Sequence, residues 1–186
     1  MIFNTHSQLV GRHAFLSASK YSWTNYDEEK LDRVFIASLA AQRGTELHAF
    51  AHEAIRLGIR LPRTPKTLNM YVNDVIGYRM TPEQILYYSD NCFGTADAIS
   101  FRKDVLRISD LKTGVIRVSV RQLEVYAALF CLEYRTKPAS IQTELRIYQN
   151  NAIELFEADP DTITHLMDKI VTFDQRIEII RAEASL

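Results

Sequence analysis

The hydrophobic period falls from 3.6 residues to 2 after about Gly77 and returns to 3.6 near residue 118. Side chains alternate across a strand and recur every three or four residues along a helix, so this switch limits the architecture strongly. The stretches "EQILYYS", "TADAISFR" and "VLRISDLK" read as three consecutive strands, with helical patterns on either side. Residues before Asp27 give no clear pattern. From Asp27 to about Gly58 the pattern is helical, in two segments meeting near Arg43 and Gly44, with Gly58 as the C-terminal stop. "RLPRTPKT" is a connection, and Pro65 to Gly77 holds a further helix with Leu68, Tyr71, Val72 and Val75 on one face. A helix is expected from about Val118 to Tyr134; its second half, Tyr126 to Leu132, is apolar nearly all round, as in a helix buried against a sheet.

Two more strands, "SIQTELRIYQ" and "AIELFEA", flank Asn150 and Asn151, a pair that tolerates the left-handed conformation of a tight hairpin. A last helix runs from near Pro160 to about Ala182, with a stripe of Ile163, Leu166, Ile170, Phe173, Ile177 and Ile180. That stripe either covers the sheet, the expected arrangement, or pairs with a second copy of the chain. The fold class is therefore α/β, a central mixed sheet flanked by helices. With 186 residues and 47% hydrophobic content, the chain is read as a single domain, 1–186, whose N-terminal helical segment (about 27–80) leads into the sheet.

Charge narrows the partners. A net charge of -1 excludes a broadly basic nucleic-acid binder, so phosphate contact must be local. From Arg102 to Arg121 there are six basic residues (Arg102, Lys103, Arg107, Lys112, Arg117, Arg121) against two acids, Asp104 and Asp110. Cys92 and Cys131 lack the spacing of a disulfide framework or a structural zinc site. The sequence contains neither an apolar run long enough to span a membrane nor a secretory leader pattern, so a cytoplasmic protein without a membrane partner is expected.

The hairpin in the middle of the chain poses a chemical problem. With a turn centred on Lys103 and Asp104, Arg102 pairs with Val105, and counting back places Asp97 opposite Asp110. Asp97, Ile99 and Phe101 then share a face with Leu106, Ile108, Asp110 and Lys112. Directly opposed carboxylates repel, with Cβ atoms about 4.5–5.5 Å apart. A divalent cation satisfies both, because hard cations take carboxylate oxygens at about 2.0–2.6 Å. The competing reading is an ordinary exposed ion pair between Asp110 and Lys112.

These residues resemble the PD-(D/E)XK nuclease superfamily, in particular its RecB-like and Cas4-like phage exonucleases. The resemblance rests on Gly94-x-x-Asp97, Asp110-x-Lys112, a following helix with Gln122-x-x-x-Tyr126, and upstream "RGTELH" from Arg43 to His48, all in that family's order. It implies a restriction-endonuclease-like core and a metal-dependent nuclease with Asp97, Asp110 and Lys112 as catalytic residues. The implied metal set is His48, Asp97, Asp110 and the carbonyl of Leu111, holding Mg²⁺ or Mn²⁺. Gln122 and Tyr126 would position the nucleic acid, with Arg117 and Arg121 as local phosphate contacts. Cas4-like proteins carry four cysteines for an iron-sulfur cluster; this chain has two, so no cluster is expected.

The activity that the resemblance implies is that of a DNA exonuclease in phage recombination, replication or DNA processing, acting in the host cytoplasm if phage-encoded. DNA is the implied partner, with a phage recombination or replication protein and a second copy of the chain as further candidates. The alternative is a non-catalytic nucleic-acid-binding or protein-interaction module on the same fold. His48 also has a plainer reading, since it falls in the apolar stripe of Leu47, Ala51 and Ile55.

Overall fold

The computed structural model describes residues 3–114 and 119–184, which divide between Arg43 and Gly44 into two compact units. In the first unit, two short 3-10 segments, Ser7–Leu9 and Ala18–Asn25, precede the start of helix α1 (Glu28–Arg56). Asp27 caps α1 by accepting the Lys30 N–H at 2.7 Å, and Glu28 and Glu29 lie in its positive first turn. No described residue of this unit is buried; its apolar side chains meet in small contacts such as Phe15 edge-on to Phe35.

Helix α1 is continuous through Gly44, where two segments are expected from the sequence. A mid-helix glycine costs about 0.5–1 kcal/mol relative to alanine. Here it permits close packing, since a Cβ at Gly44 would lie 2.7 Å from Thr113 Oγ1. Gly58, with φ of +68°, stops the helix as expected.

In the second unit, α1 is followed by α2 (Thr67–Gly77) and then by three strands, β1 (Thr81–Ser89), β2 (Cys92–Arg102) and β3 (Val105–Leu111). Helix α3 (Arg121–Glu133) leads to β4 (Gln142–Gln149) and β5 (Ala152–Glu157), and α4 (Pro160–Ala184) closes the chain. The five strands form one sheet in the order β1-β2-β3-β4-β5. All neighbours are antiparallel except β3 and β4, which are parallel. Parallel neighbours need a crossover, and α3 lies within it. This is the mixed α/β architecture expected from the periodicity.

The sheet is covered on both faces. Leu86, Ile99, Leu106, Ile108, Leu145 and Ile147 pack with the apolar side of α3 and with Ile163 of α4. On the other face, Ala98, Leu111 and Tyr148 pack with Tyr71, Val72 and Val75 of α2 and with Ala51, Ala54 and Ile55 of α1. The α4 stripe covers the sheet only in its first half. Ile163 is 1% exposed and Leu166 and Ile170 pack at the core edge, whereas Phe173, Ile177 and Ile180 are exposed by 57%, 40% and 48%. Polar contacts explain the direction of the second half: Asp174 accepts from Ser89 and Asn91 at the β1–β2 turn, and Glu178 also accepts from Asn91. Cys131 is buried in α3 and Cys92 half-buried; both are free thiols. No helix among the described residues is long and apolar enough to cross a membrane.

Candidate active site

The β2–β3 turn has the expected form. Lys103 and Asp104 adopt φ of 51° and 60°, the left-handed pair of a two-residue hairpin, and the ladder runs from Arg102↔Val105 to Ala98↔Ser109. Asp97 and Asp110 are the next residues on the two strands. Instead of simply facing each other, Asp97 turns Oδ2 to accept the Leu111 N–H at 2.8 Å, and His48 Nδ1 of α1 lies 3.6 Å from the same oxygen. Leu111 thus enters the site through its N–H.

Asp110 is 4% exposed at its side chain, and its Oδ1 accepts from Lys112 Nζ at 3.0 Å. Lys112 also donates to Gln122 Oε1 at 3.1 Å, and Gln122 Nε2 donates to the Tyr126 hydroxyl at 3.0 Å. Gln122 and Tyr126, one turn apart on α3, therefore connect through Lys112 to the hairpin carboxylates. The glycine of Gly-x-x-Asp belongs to this arrangement: a Cβ at Gly94 would lie 2.9 Å from Tyr126 Cε1.

Electrostatics set the chemistry. Burial, together with the charge of Asp110, pushes the Asp97 carboxyl above its ordinary range, against the Leu111 N–H and the charges of His48 and Lys112. Burial likewise pushes Asp110 up, against the attraction and hydrogen bond of Lys112. Two desolvated carboxylates with one ammonium favour a further positive charge. Asp110 Oδ2 is buried without a hydrogen-bond partner. That orphan oxygen, a second carboxylate and a nearby imidazole are a donor set suited to Mg²⁺ or Mn²⁺, so the residues fit such an ion. Among the described residues no three His, Cys, Asp or Glu side chains close around one point as a metal-binding group; Asp97 accepts from the Leu111 N–H and Asp110 from Lys112.

Arg121 lies at the start of α3 with Nη1 2.9 Å from Glu124 Oε2, so its charge is shared within its own helix. Arg117 lies outside the described residues.

Sequence reasoning missed the supports of the segment that follows Asp110. Lys112 N donates to Tyr148 O at 2.9 Å, and the buried Gln149 donates from Nε2 to Gly114 O at 2.6 Å. These contacts come from β4, more than thirty residues on, and no local pattern announces them. Gly44 was legible only as a break in a helical pattern, although it is the helix surface against which Thr113 packs.

Neither a family model nor a curated protein matches this chain. A solved structure titled "Crystal structure of SSO0001" aligns with it at 15% identity and a TM-score of 0.36, covering 81% of this chain and 67% of that one. Similarity at that level carries no argument about fold or function.

Proposed function

We propose that this chain is a divalent-metal-dependent deoxyribonuclease of the PD-(D/E)XK type, an exonuclease of DNA recombination, replication or processing that acts in the cytoplasm. The observation that carries the reading is Asp110: a buried carboxylate with one oxygen held by Lys112 and the other unpartnered, beside Asp97 and His48. An exposed Asp-Lys ion pair would need none of this burial. Asp97, Asp110 and His48 would hold the cation, which when bound supplies charge neutralisation at the phosphate and at the leaving oxygen.

The remaining work falls to the chain itself. Lys112 has three N–H donors, of which two are taken by Asp110 and Gln122. The third can orient the attacking water or bind a phosphate oxygen. Gln122, tied to Tyr126, fixes the lysine stem so that the ammonium does not swing into solvent. Gly94 lets the Tyr126 ring lie close to β2.

The test is incubation of purified protein with linear and circular DNA in Mg²⁺, Mn²⁺ or EDTA, beside Asp110→Asn. Metal-dependent loss of linear DNA only, absent in the variant, supports an exonuclease, whereas nicking of circles shifts the reading to an endonuclease. Binding without cleavage in either metal overturns the enzymatic reading in favour of a binding module.

A further inference from the structure

The residues between Glu53 and Asp74 include Arg56, Arg60, Arg63 and Lys66 and no acid, in a chain whose net charge is -1. Arg56 is paired with Glu53. Arg60, Arg63 and Lys66 are exposed, and their side chains make no ion pair among the described residues. Arg60 and Arg63 line a cavity of about 600 Å³ together with Asn73, Asp74, Tyr78 and Ile153. Asp74 is already engaged, accepting from the Tyr148 hydroxyl at 2.8 Å and lying 3.5 Å from Arg146. The Arg107 and Arg146 guanidiniums over the Tyr78 ring are matched by Glu144 together with Asp74. The uncompensated positive charge of this cavity therefore belongs to Arg60 and Arg63.

A second cavity, of about 280 Å³, opens beside Lys112, walled by Thr113, Gly114, Thr67, Leu68 and the Asn150–Asn151 turn. Thr67 and Asn151, both in the lining of this second cavity, are clasped together. Asn151 Oδ1 accepts the Thr67 N–H at 3.1 Å, and Asn151 N donates to Thr67 Oγ1 at 2.7 Å. Thr64 and Pro65 line the first cavity and Thr67 and Leu68 the second, a chain separation of at most about 10–14 Å for three or four extended residues. Arg60 and Arg63 thus stand on the connection that runs on to Thr67, which lines the cavity beside Lys112.

We infer that the connection between α1 and α2 carries the phosphodiester backbone of the substrate strand, with Arg60 and Arg63 as its phosphate contacts beyond Lys112. This rests on the nuclease reading and extends it to the strand path. Guanidinium matches phosphate geometry through paired N–H donors, and two such groups without an acidic partner suit a continuous polyanion better than a single small anion. Sequence reasoning placed the basic contacts at Arg117 and Arg121 instead.

The experiment measures binding of a fluorescent 20-nucleotide single strand without divalent metal over a salt series. It compares the parent protein, Arg60→Ala/Arg63→Ala, and Arg135→Ala/Arg176→Ala, which removes the same charge at exposed sites lining neither cavity. Each phosphate contact to a single strand contributes about 0.7 to the slope of log affinity against log salt, so the first variant should flatten the slope by about 1.4 and the second should not. Thermal melts of all three should coincide. Equal slopes in all three proteins, equal flattening in both variants, or no binding by the parent overturns the strand path. Cleavage by the parent in Mg²⁺ or Mn²⁺ is scored separately. Binding that depends on Arg60 and Arg63 without cleavage keeps the path and refutes the nuclease, while cleavage with unchanged slopes does the reverse.

Discussion

Gly94 offers the sharpest test of how the candidate site is built. Its backbone lies outside the left-handed region, so alanine is conformationally allowed. On unfolded-state entropy alone, Gly94→Ala would stabilise the protein by about 0.4–1 kcal/mol. The added methyl would instead meet Tyr126 Cε1 at 2.9 Å, with Cδ1 and Cζ at 3.8 and 3.9 Å, so a ring packed against the core must shift. Overpacking of this kind costs about 1–3 kcal/mol. The expected balance is a net loss of about 1 kcal/mol, or about 2–4 °C in Tm for a chain of this size. In a Tyr126→Ala background the overlap disappears, and the same substitution should become stabilising by about 0.4–1 kcal/mol. A double-mutant cycle by denaturant unfolding reads this reversal of sign directly. Equal effects of Gly94→Ala in both backgrounds would show that the Tyr126 ring does not lie over Gly94, and the positioning of Gln122 and Lys112 through that ring would lose its basis.

At the carboxylates, Asp97→Asn and Asp110→Asn should abolish Mn²⁺ binding by calorimetry together with DNA cleavage. Lys112→Ala should keep metal binding while cleavage falls by about 10²–10⁴, as for a positioned proton-transfer or water-orienting group; loss of metal binding in that variant would refute its role. His48→Ala should reduce Mn²⁺-supported cleavage more than Mg²⁺-supported cleavage, because imidazole suits Mn²⁺ better, and equal losses in the two metals would argue against ligation. The hydrogen bond from Arg107, with further support from Arg146, holds Glu144 below its ordinary value of 4.5. A depressed carboxyl stabilises the fold above that value and loses its contribution as pH falls through the folded-state pKa, so Glu144→Gln should flatten the acid limb of stability below about pH 4.5 in urea titrations. Ile163→Ala should cost about 2–5 kcal/mol and Phe173→Ala under about 1, since the first is buried and the second exposed; equal costs would mean that the second half of α4 is covered.

The elements were legible because their signals are local. A period of two residues marks β1 to β3, Pro160 marks the start of α4, and Asn150-Asn151 marks the β4–β5 turn, while the cap that Asp159 forms by accepting from Thr162 was seen only in the structure. The register of β2 on β3 followed once the turn was placed at Lys103 and Asp104, because a two-residue turn leaves no freedom to slip, and the structure has that turn. The continuity of α1 through Gly44 was not legible, since a glycine reads as a break unless the group packed against it is known. The same limit explains α4: a stripe shows which side of a helix is apolar, but not how far the sheet beneath it extends.

At the site, the sequence by itself determined which residue types stand at the end of the β2–β3 hairpin and that two carboxylates and a lysine share it. Only the tertiary structure decided what each one touches: Asp97 the Leu111 N–H with His48 near the same oxygen, Asp110 the ammonium of Lys112, Lys112 the amide of Gln122. It also decided that Gln149 would hold Gly114 and that Arg60 and Arg63 would line a cavity together with Asn73, Asp74 and Tyr78 of α2 and its C-terminal end. The physical reason is range. Backbone preference and side-chain alternation act over a few residues, whereas burial, hydrogen bonding and charge act between whatever groups the sheet and its helices bring within a few ångströms, however far apart they lie along the chain.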